Sequence, residues 1–167
     1  EAELNLLPDV AERDVLEDGC GTAYISAWLA RNGARPIGLD NSSAQLQTAR
    51  QMQEEFGLHF PLVHGFAERL PFRNESFDFV ISEYGAAIWS DPYRWIPEAS
   101  RVLRPGGELL FLGNSTLLML CTPDGEEQPG RDQPEVGVHH RLAHVREQLG
   151  RIGGLGVGRE VAAVGLH

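Results

Sequence analysis

The sequence contains no lysine, since all 14 of its basic residues are arginine. A P-loop places a lysine on the phosphates of its nucleotide, so this class of nucleotide-binding site is excluded. Covalent chemistry through a lysine Schiff base is excluded as well. The same absence removes any Tyr-x-x-x-Lys dehydrogenase pair.

Cysteine and long apolar runs are also scarce. Cys20 and Cys121 are the only two cysteines, which is too few for a disulfide framework or a zinc site. No apolar run approaches the roughly 20 residues that cross a bilayer, and no basic-then-apolar leader pattern occurs. We therefore expect a cytoplasmic protein with no metal site and no membrane partner.

The charge balance is strongly acidic, with a formal net charge of −10 at pH 7. A protein that holds nucleic acid by its phosphates needs a basic face, so we expect no nucleic-acid partner. The chain of 167 residues is large enough for one domain with its own core.

Apolar runs alternate with helical patterns along the first two thirds of the chain. Each of the five apolar runs is followed by a polar residue, namely Glu17, Asp40, His64, Glu83 and Asn114. Helical patterns occupy residues 23–32, a segment from the capping box Ser42–Gln45 to Gly57, and a segment from Asp91 to Pro105-Gly106-Gly107. This alternation predicts an α/β fold with a parallel sheet covered on both faces. Because ligands of such sheets bind at the carboxyl ends of the strands, we expect a site there.

The first strand runs directly into a glycine-rich loop, in the stretch "VLEDGCGTAY". Glycines at this point let the backbone turn or approach a ligand closely. The nicotinamide fingerprint needs a small third residue, and Tyr24 stands there. Asp40 follows Gly21 at close to the spacing of about 20 residues expected for a carboxylate on ribose hydroxyls. That spacing suits either a nicotinamide cofactor or S-adenosylmethionine, and Tyr24 disfavours the former.

Three stretches between Val15 and Asn114 carry a family resemblance. They are "VLEDGCGTAYISAWLARNGARPIGLDNS", "GFAERLPFRNESFDFVIS" and "ASRVLRPGGELLFLGNS". Together they resemble the motifs of a class I S-adenosylmethionine-dependent methyltransferase of the small-molecule type (methyltransferase domain 11-like). The resemblance implies a doubly wound, mostly parallel, Rossmann-like sheet of strand order 3-2-1-4-5. It also implies S-adenosylmethionine as cofactor and a small-molecule methyl acceptor.

The resemblance assigns roles in donor binding to residues at the first two strand ends. It places Glu17 at the amino-acid end of the donor. It places the backbone of Gly19, Cys20 and Gly21 beside the methionine part. Asp40 is implied to accept the ribose hydroxyls.

Further positions are implied to contact the adenine and the sulfonium. Asn41 lies against the adenine, and Ala67 offers its backbone N–H to the adenine edge. Phe66 stands where the family has an aspartate that accepts from the adenine amino group, which leaves two alternatives: Glu68 is the acceptor, or the donor affinity is lower. Glu83 is implied to lie near the sulfonium.

The acceptor side is less defined by the sequence. The resemblance places Tyr84 at the substrate mouth, and Trp89 is a candidate for the acceptor pocket. Methyl transfer from a sulfonium is an in-line displacement that needs alignment and exclusion of water rather than a metal. Where the acceptor must lose a proton, His64 and Glu83 are the candidate bases.

Several departures from the family pattern keep a second hypothesis open. Asp18 stands where the family has an apolar residue, and Ala23 replaces a glycine, which a helical backbone at that point would tolerate. The chain has only residues 1–13 before the first strand, where the family has one or two helices. The alternative hypothesis is a catalytically lapsed binding module that keeps the fold without turnover.

The C-terminal part differs in composition from the rest. We expect residues 1–121 to form the cofactor-binding core and residues 122–167 an irregular segment of the same domain. A loop is predicted over 122–138, followed by a helix and a possible strand in "REVAAVGL". The antiparallel strands that close the family fold are thus expected to be incomplete or atypical.

Overall fold

The computed structural model describes residues 7–114 and 160–166. In this part of the chain the strands form one sheet of order β3-β2-β1-β4-β5-β6. The strands are β1 (Asp14–Asp18), β2 (Arg35–Asp40), β3 (Leu62–His64), β4 (Phe77–Glu83), β5 (Leu103–Asn114) and β6 (Glu160–Leu166). Every neighbouring pair is parallel. The predicted doubly wound fold with strand order 3-2-1-4-5 is confirmed.

Helices connect the strands, namely α1 (Tyr24–Arg31), α2 (Ser43–Phe56), α3 (Ala86–Trp89) and α4 (Pro92–Val102). Local sequence signals explain the ends of the longer helices. The Ser42 side chain accepts from the Gln45 N–H at 3.4 Å, and Gly57 ends α2 with φ 60°. The Asp91 side chain accepts from the Tyr93 N–H at 2.9 Å at the start of α4. The predicted helix starts at Ser42 and Asp91 are therefore confirmed, although the Ser42 N–H donates to Asp40 instead of completing a capping box with Gln45. The short α3 was not predicted.

The sheet is buried on both faces. Consecutive residues of β1 show this, since their side chains pack in different core clusters. Leu16 packs in a cluster with Val80, Trp95 and Leu109, whereas Val15 packs in the cluster on the other face. Successive side chains of a strand point to opposite faces of the sheet. Because both faces are buried here, an unbroken run of apolar residues is expected in the strand. Trp95 is buried in the first of these clusters.

The connection from α4 to β5 differs from the prediction. The Pro105-Gly106-Gly107 triplet was expected to separate helix from strand, but it lies inside β5. Pairing with β4 is interrupted there, since Phe77 pairs with Leu103 and Phe79 pairs with Glu108. The extra residues therefore form a bulge beside β4 rather than a loop.

Strand β6 runs parallel to β5, so the C-terminal strand that the structure describes is atypical for the family, as predicted. The predicted loop over 122–138, the helix after it and Cys121 lie outside the described residues. The boundary between 121 and 122 therefore stays a prediction. Within the described residues, no helix combines the length and the apolarity that a bilayer crossing requires.

Candidate functional site

A cavity of about 570 Å³ lies at the carboxyl ends of β1, β2 and β4. Ten of the residues selected from the sequence line it: Glu17, Gly19, Cys20, Gly21, Asp40, Asn41, Ala67, Glu83, Tyr84 and Trp89. Three others do not, namely His64, Phe66 and Glu68. The cavity therefore brings together residues of three strand ends at the edge where the topology predicts a site.

The loops after β1 and β4 are in direct backbone contact. Gly19 has φ 80°, a conformation that favours glycine. A Cβ on Gly19 would overlap the backbone N of Ala86, and a Cβ on Gly85 would overlap the carbonyl oxygen of Gly19. Both glycines are required by this close approach. Gly85 was not selected from the sequence, and its one signal is its position shortly after a strand end.

The glycine loop is also anchored to β2. The N–H groups of Gly19 and Cys20 both donate to the Leu39 carbonyl, each at 2.9 Å. The Cys20 side chain is buried, and burial raises the pKa of its thiol. Cys20 is thus a packing residue of the loop rather than a reactive thiol.

The Asp40 carboxylate holds the glycine loop on one side and the start of α2 on the other. Its Oδ2 accepts from the Gly21 N–H and its Oδ1 from the Ser42 N–H, each at 2.7 Å. A carboxylate oxygen can accept more than one hydrogen bond. Asp40 therefore holds the loop and retains acceptor capacity toward the cavity that it lines.

Glu17 joins β1 to α1 from the buried floor of the cavity. Its Oε2 accepts from the Ser26 N–H at 2.7 Å and from the Ser26 hydroxyl. Burial raises the pKa of Glu17 to about 7, and the negative charges of Glu83 and Asp40 act in the same direction. Ser26 was not selected from the sequence, because only the fold brings it to the strand end.

Asp18 is the most unusual residue of the cavity. It is 0% exposed, and neither carboxylate oxygen has a hydrogen-bond partner among the described residues. Burial raises its pKa to about 7, with further contributions from Glu68, Asp40 and Glu98. A buried carboxyl without a partner is costly. The sequence identified Asp18 as a departure from the family pattern, and the structure supplies no compensating contact among the described residues.

Ala23 adopts a left-handed backbone conformation, with φ 60° and ψ 35°. The condition under which alanine would be tolerated here, a helical backbone, is therefore not met, because the conformation is the one that glycine favours. Its methyl group is buried with Cys20, Leu46 and Ala49. This apolar contact offsets part of the strain.

The two candidate bases lie in different surroundings. The Nε2 atom of His64 is 2.9 Å from the carbonyl oxygen of Asn41, and the His64 side chain is exposed outside the cavity lining. Glu83 lines the cavity at the end of β4. Tyr84 follows with φ 50°, and burial and the charge of Glu83 raise the pKa of its hydroxyl.

The segment after β3 contributes one lining residue. Ala67 is buried and lines the cavity. Phe66 is 57% exposed and pairs with Arg69 in an isolated bridge. Glu68 Oε1 accepts from the Asp91 N–H at 3.3 Å, which places it at the start of α4.

Aromatic side chains stand at the mouth of the cavity. Tyr24 is 73% exposed and Trp89 is 82% exposed, and both line the cavity. Tyr93 is exposed but is not a lining residue. In the sequence, Tyr24 served only as evidence against a nicotinamide cofactor. Its place at the mouth of the cavity follows from its position at the start of α1.

The cavity is acidic. Among the described residues that line it, Glu17, Asp18, Asp40 and Glu83 are acids and none is Arg, Lys or His. A phosphate-bearing ligand would meet only negative side chains, whereas a cation would be attracted. A glycine-walled cleft whose described lining has a carboxylate at the end of β2 and no cationic side chain fits S-adenosylmethionine better than a dinucleotide.

The fold and the site together define a class of protein. A parallel sheet of order 3-2-1-4-5, a glycine loop after β1 and a carboxylate at the end of β2 are the features of class I S-adenosylmethionine-dependent methyltransferases. Residues 16–111 match the family described as "Methyltransferase domain". The chain belongs to this family.

Similar proteins carry related names. The chain is 37% identical over 106 residues to a demethylmenaquinone methyltransferase of Listeria welshimeri, which covers 61% of this chain and 45% of the relative. It is 36% identical over 105 residues to a phthiotriol/phenolphthiotriol dimycocerosates methyltransferase of Mycobacterium leprae, over 62% of this chain and 38% of the relative. The chain thus spans less than half the length of these two relatives.

A solved structure of similar fold is an S-adenosylmethionine-dependent methyltransferase from Mesorhizobium loti. It has a TM-score of 0.56 and 27% sequence identity, over 63% of this chain and 48% of that one. The likeness supports the Rossmann-like fold that the described residues form.

Proposed function

We propose that this chain binds S-adenosylmethionine in the cavity and transfers its methyl group to a small-molecule acceptor in the cytoplasm. The observation that supports the proposal most strongly is the lining of the cavity. Glycine backbone and four carboxylates meet there, and no basic side chain is present among the described lining residues. This composition suits a cationic nucleoside and disfavours a phosphate-bearing one.

Asp40 and the glycine loop are the proposed binding elements. Asp40 holds Gly21 and Ser42 by their N–H groups, so its carboxylate is already oriented and loses little freedom on binding ribose hydroxyls. The donor supplies an activated methyl group. The chain's task is then to align the acceptor and exclude water.

The proposed acceptor is an apolar, neutral small molecule. The exposed rings of Tyr24 and Trp89 at the mouth offer apolar and stacking surface. Relatives named for demethylmenaquinone and for phthiotriol dimycocerosates support acceptors of this kind. Of the two candidate bases, Glu83 is favoured because it lines the cavity and His64 does not.

Titration calorimetry with S-adenosylmethionine tests the donor site. We expect binding by the full 167-residue chain and a loss of at least about ten-fold in affinity in Asp40→Asn, because the amide offers one acceptor oxygen fewer. Glu54→Gln is the matched control, since Glu54 is exposed on α2. Circular dichroism verifies that each variant is folded. Absence of binding by a folded chain would refute the proposal.

A turnover assay tests the transfer itself. Radiolabelled methyl donor is incubated with the chain and an apolar acceptor, for which demethylmenaquinone is the first choice. We expect methylated product to form in step with loss of donor. Donor binding without turnover of any acceptor is the result that the lapsed-enzyme hypothesis predicts.

A further inference from the structure

Ser82, near the end of β4, is a fully buried residue whose hydroxyl joins two separate parts of the chain. Its Oγ donates to the backbone carbonyl of Asp18 at 2.7 Å and accepts from the backbone N–H of Ala87 at 3.1 Å. Asp18 is the last residue of β1, and Ala87 lies in the first turn of α3. One hydroxyl therefore connects the strand before the glycine loop to the helix that follows β4.

Helix α3 depends on such a contact because it is only one turn long. It has four residues, and its N-cap, Gly85, supplies no side-chain hydrogen bond. The first N–H groups of a helix have no partner within the helix, and so short a helix is not stable on its own. The Ser82 hydroxyl satisfies the Ala87 N–H and thus replaces the missing cap from the preceding strand.

The glycine loop and α3 are held by different numbers of hydrogen bonds. The Leu39 carbonyl and the Asp40 carboxylate, at the end of β2, accept from three N–H groups of the loop. Within the described residues, the bond to Ser82 is the one hydrogen bond that joins α3 to a strand. Ala86 is buried and adds apolar packing, but an alanine methyl group has little area to bury. Loss of the Ser82 hydroxyl should therefore loosen α3 and leave the loop in place.

We propose that the Ser82 hydroxyl is a positioning group, which holds α3 and with it the acceptor side of the cavity. Trp89 is the last residue of α3 and lines the cavity, whereas Ser82 does not. A one-turn helix moves as a unit, so a shift at Ala87 displaces Trp89 as well. The inference rests on the proposed function, because it concerns the acceptor that Trp89 helps to align.

Ser82→Ala removes both hydrogen bonds and tests the proposal in the full chain. Without any ligand, we expect amide hydrogen exchange over residues 86–90 to accelerate by up to about ten-fold. With demethylmenaquinone as acceptor, KM should rise and kcat/KM should fall roughly ten-fold or more, because a small misplacement of the reactants is costly. The calorimetric dissociation constant of S-adenosylmethionine should stay within about two-fold, since the loop keeps its bonds to β2.

Two further variants separate the hydroxyl from its volume and from a general loss of packing. Ser82→Cys fills the same space with a group that hydrogen-bonds weakly, so it should change exchange and acceptor KM in the same direction as Ser82→Ala. It also serves if Ser82→Ala does not fold by circular dichroism. Ser100→Ala removes another buried serine hydroxyl, from α4, and should leave exchange over 86–90 and acceptor KM unchanged.

The outcomes distinguish this inference from the proposed function. Unchanged exchange over 86–90 in Ser82→Ala, or parent values in Ser82→Cys, would overturn the positioning role. An equal loss of donor affinity and of acceptor kcat/KM would overturn it too, because Ser82 would then support the whole cavity. A parent chain that binds donor but methylates no acceptor would refute the proposed transfer, and the exchange measurement would still decide whether Ser82 holds α3.

Discussion

At the scale of single residues, Asp18 is expected to lower stability at neutral and alkaline pH. Its pKa is raised from 3.8 to about 7 by burial, so the folded state loses stability as the pH rises from about 4 through 7. Asp18→Val should be more stable than the parent at pH 8, by at most about 4 kcal/mol. The gain should shrink toward zero near pH 4. Urea unfolding across this pH range measures it.

A surface substitution separates this effect from general charge repulsion. Glu54→Gln removes one exposed acid from α2 and should change stability little at any pH. If Asp18→Val instead lowers stability at pH 8, the carboxyl has a stabilising partner and its cost has been misjudged. A gain in stability with a loss of donor affinity would show that the residue is kept for ligand binding.

Residues fixed by local spacing could be predicted from the sequence, and residues fixed by tertiary contact could not. Asp40 and Gly19 were found because the distance between a glycine loop and the next strand end is nearly constant in such folds. Gly85 is required by contact with Gly19, far away in the sequence. Ser26 supports Glu17 through a hydrogen bond that only the packing of α1 on β1 creates.

At the scale of elements, Arg101 fastens the segment after β3 to α4. Its guanidinium donates to Glu98, to the carbonyls of Leu70 and Phe72 and to the Asn74 side chain, at 2.7 to 3.0 Å. A lysine cannot make this fork of bonds. We expect Arg101→Lys to lose about 1–3 kcal/mol of stability. Hydrogen exchange over residues 65–76 should accelerate.

The same segment contains Ala67, which lines the cavity. Donor affinity should therefore fall several-fold in Arg101→Lys. Arg94→Lys is the matched control, because Arg94 is exposed on the same helix and should alter neither exchange nor affinity. Unchanged exchange over 65–76 in Arg101→Lys would show that the apolar core alone holds this segment.

Helix ends were predicted well where a cap is encoded by neighbouring residues. Helix α2 begins after Ser42 and ends before Gly57, as the sequence indicated. The start of β5 was not found, because Pro105-Gly106-Gly107 has the composition of a turn. Arg104 lies beside it and bonds Asp78 and Asp14 at 2.7 and 2.9 Å. These contacts hold the bulge against β4, and no local pattern reveals them.

At the scale of the whole molecule, charge is distributed unevenly between the two edges of the sheet. Three arginines, Arg13, Arg35 and Arg104, are paired with acids in the first halves of strands. The charged residues of the described cavity lining, in contrast, are all acids. The described lining thus places four carboxylates, Glu17, Asp18, Asp40 and Glu83, where the proposed ligand binds. Such a field attracts a cation over long range and weakens as salt is added.

The sheet as a whole is expected to depend on β6, which covers β5 along Glu108–Asn114. Removing residues 160–167 would leave the backbone groups of β5 unpaired at a long edge, which promotes association between chains. We expect Tm to fall by roughly 5 °C or more, and sedimentation velocity to show concentration-dependent oligomers. Removing His167 alone is the control and should change neither property. A shortened chain with the parent's Tm and sedimentation would mean that β5 is stable as an edge strand.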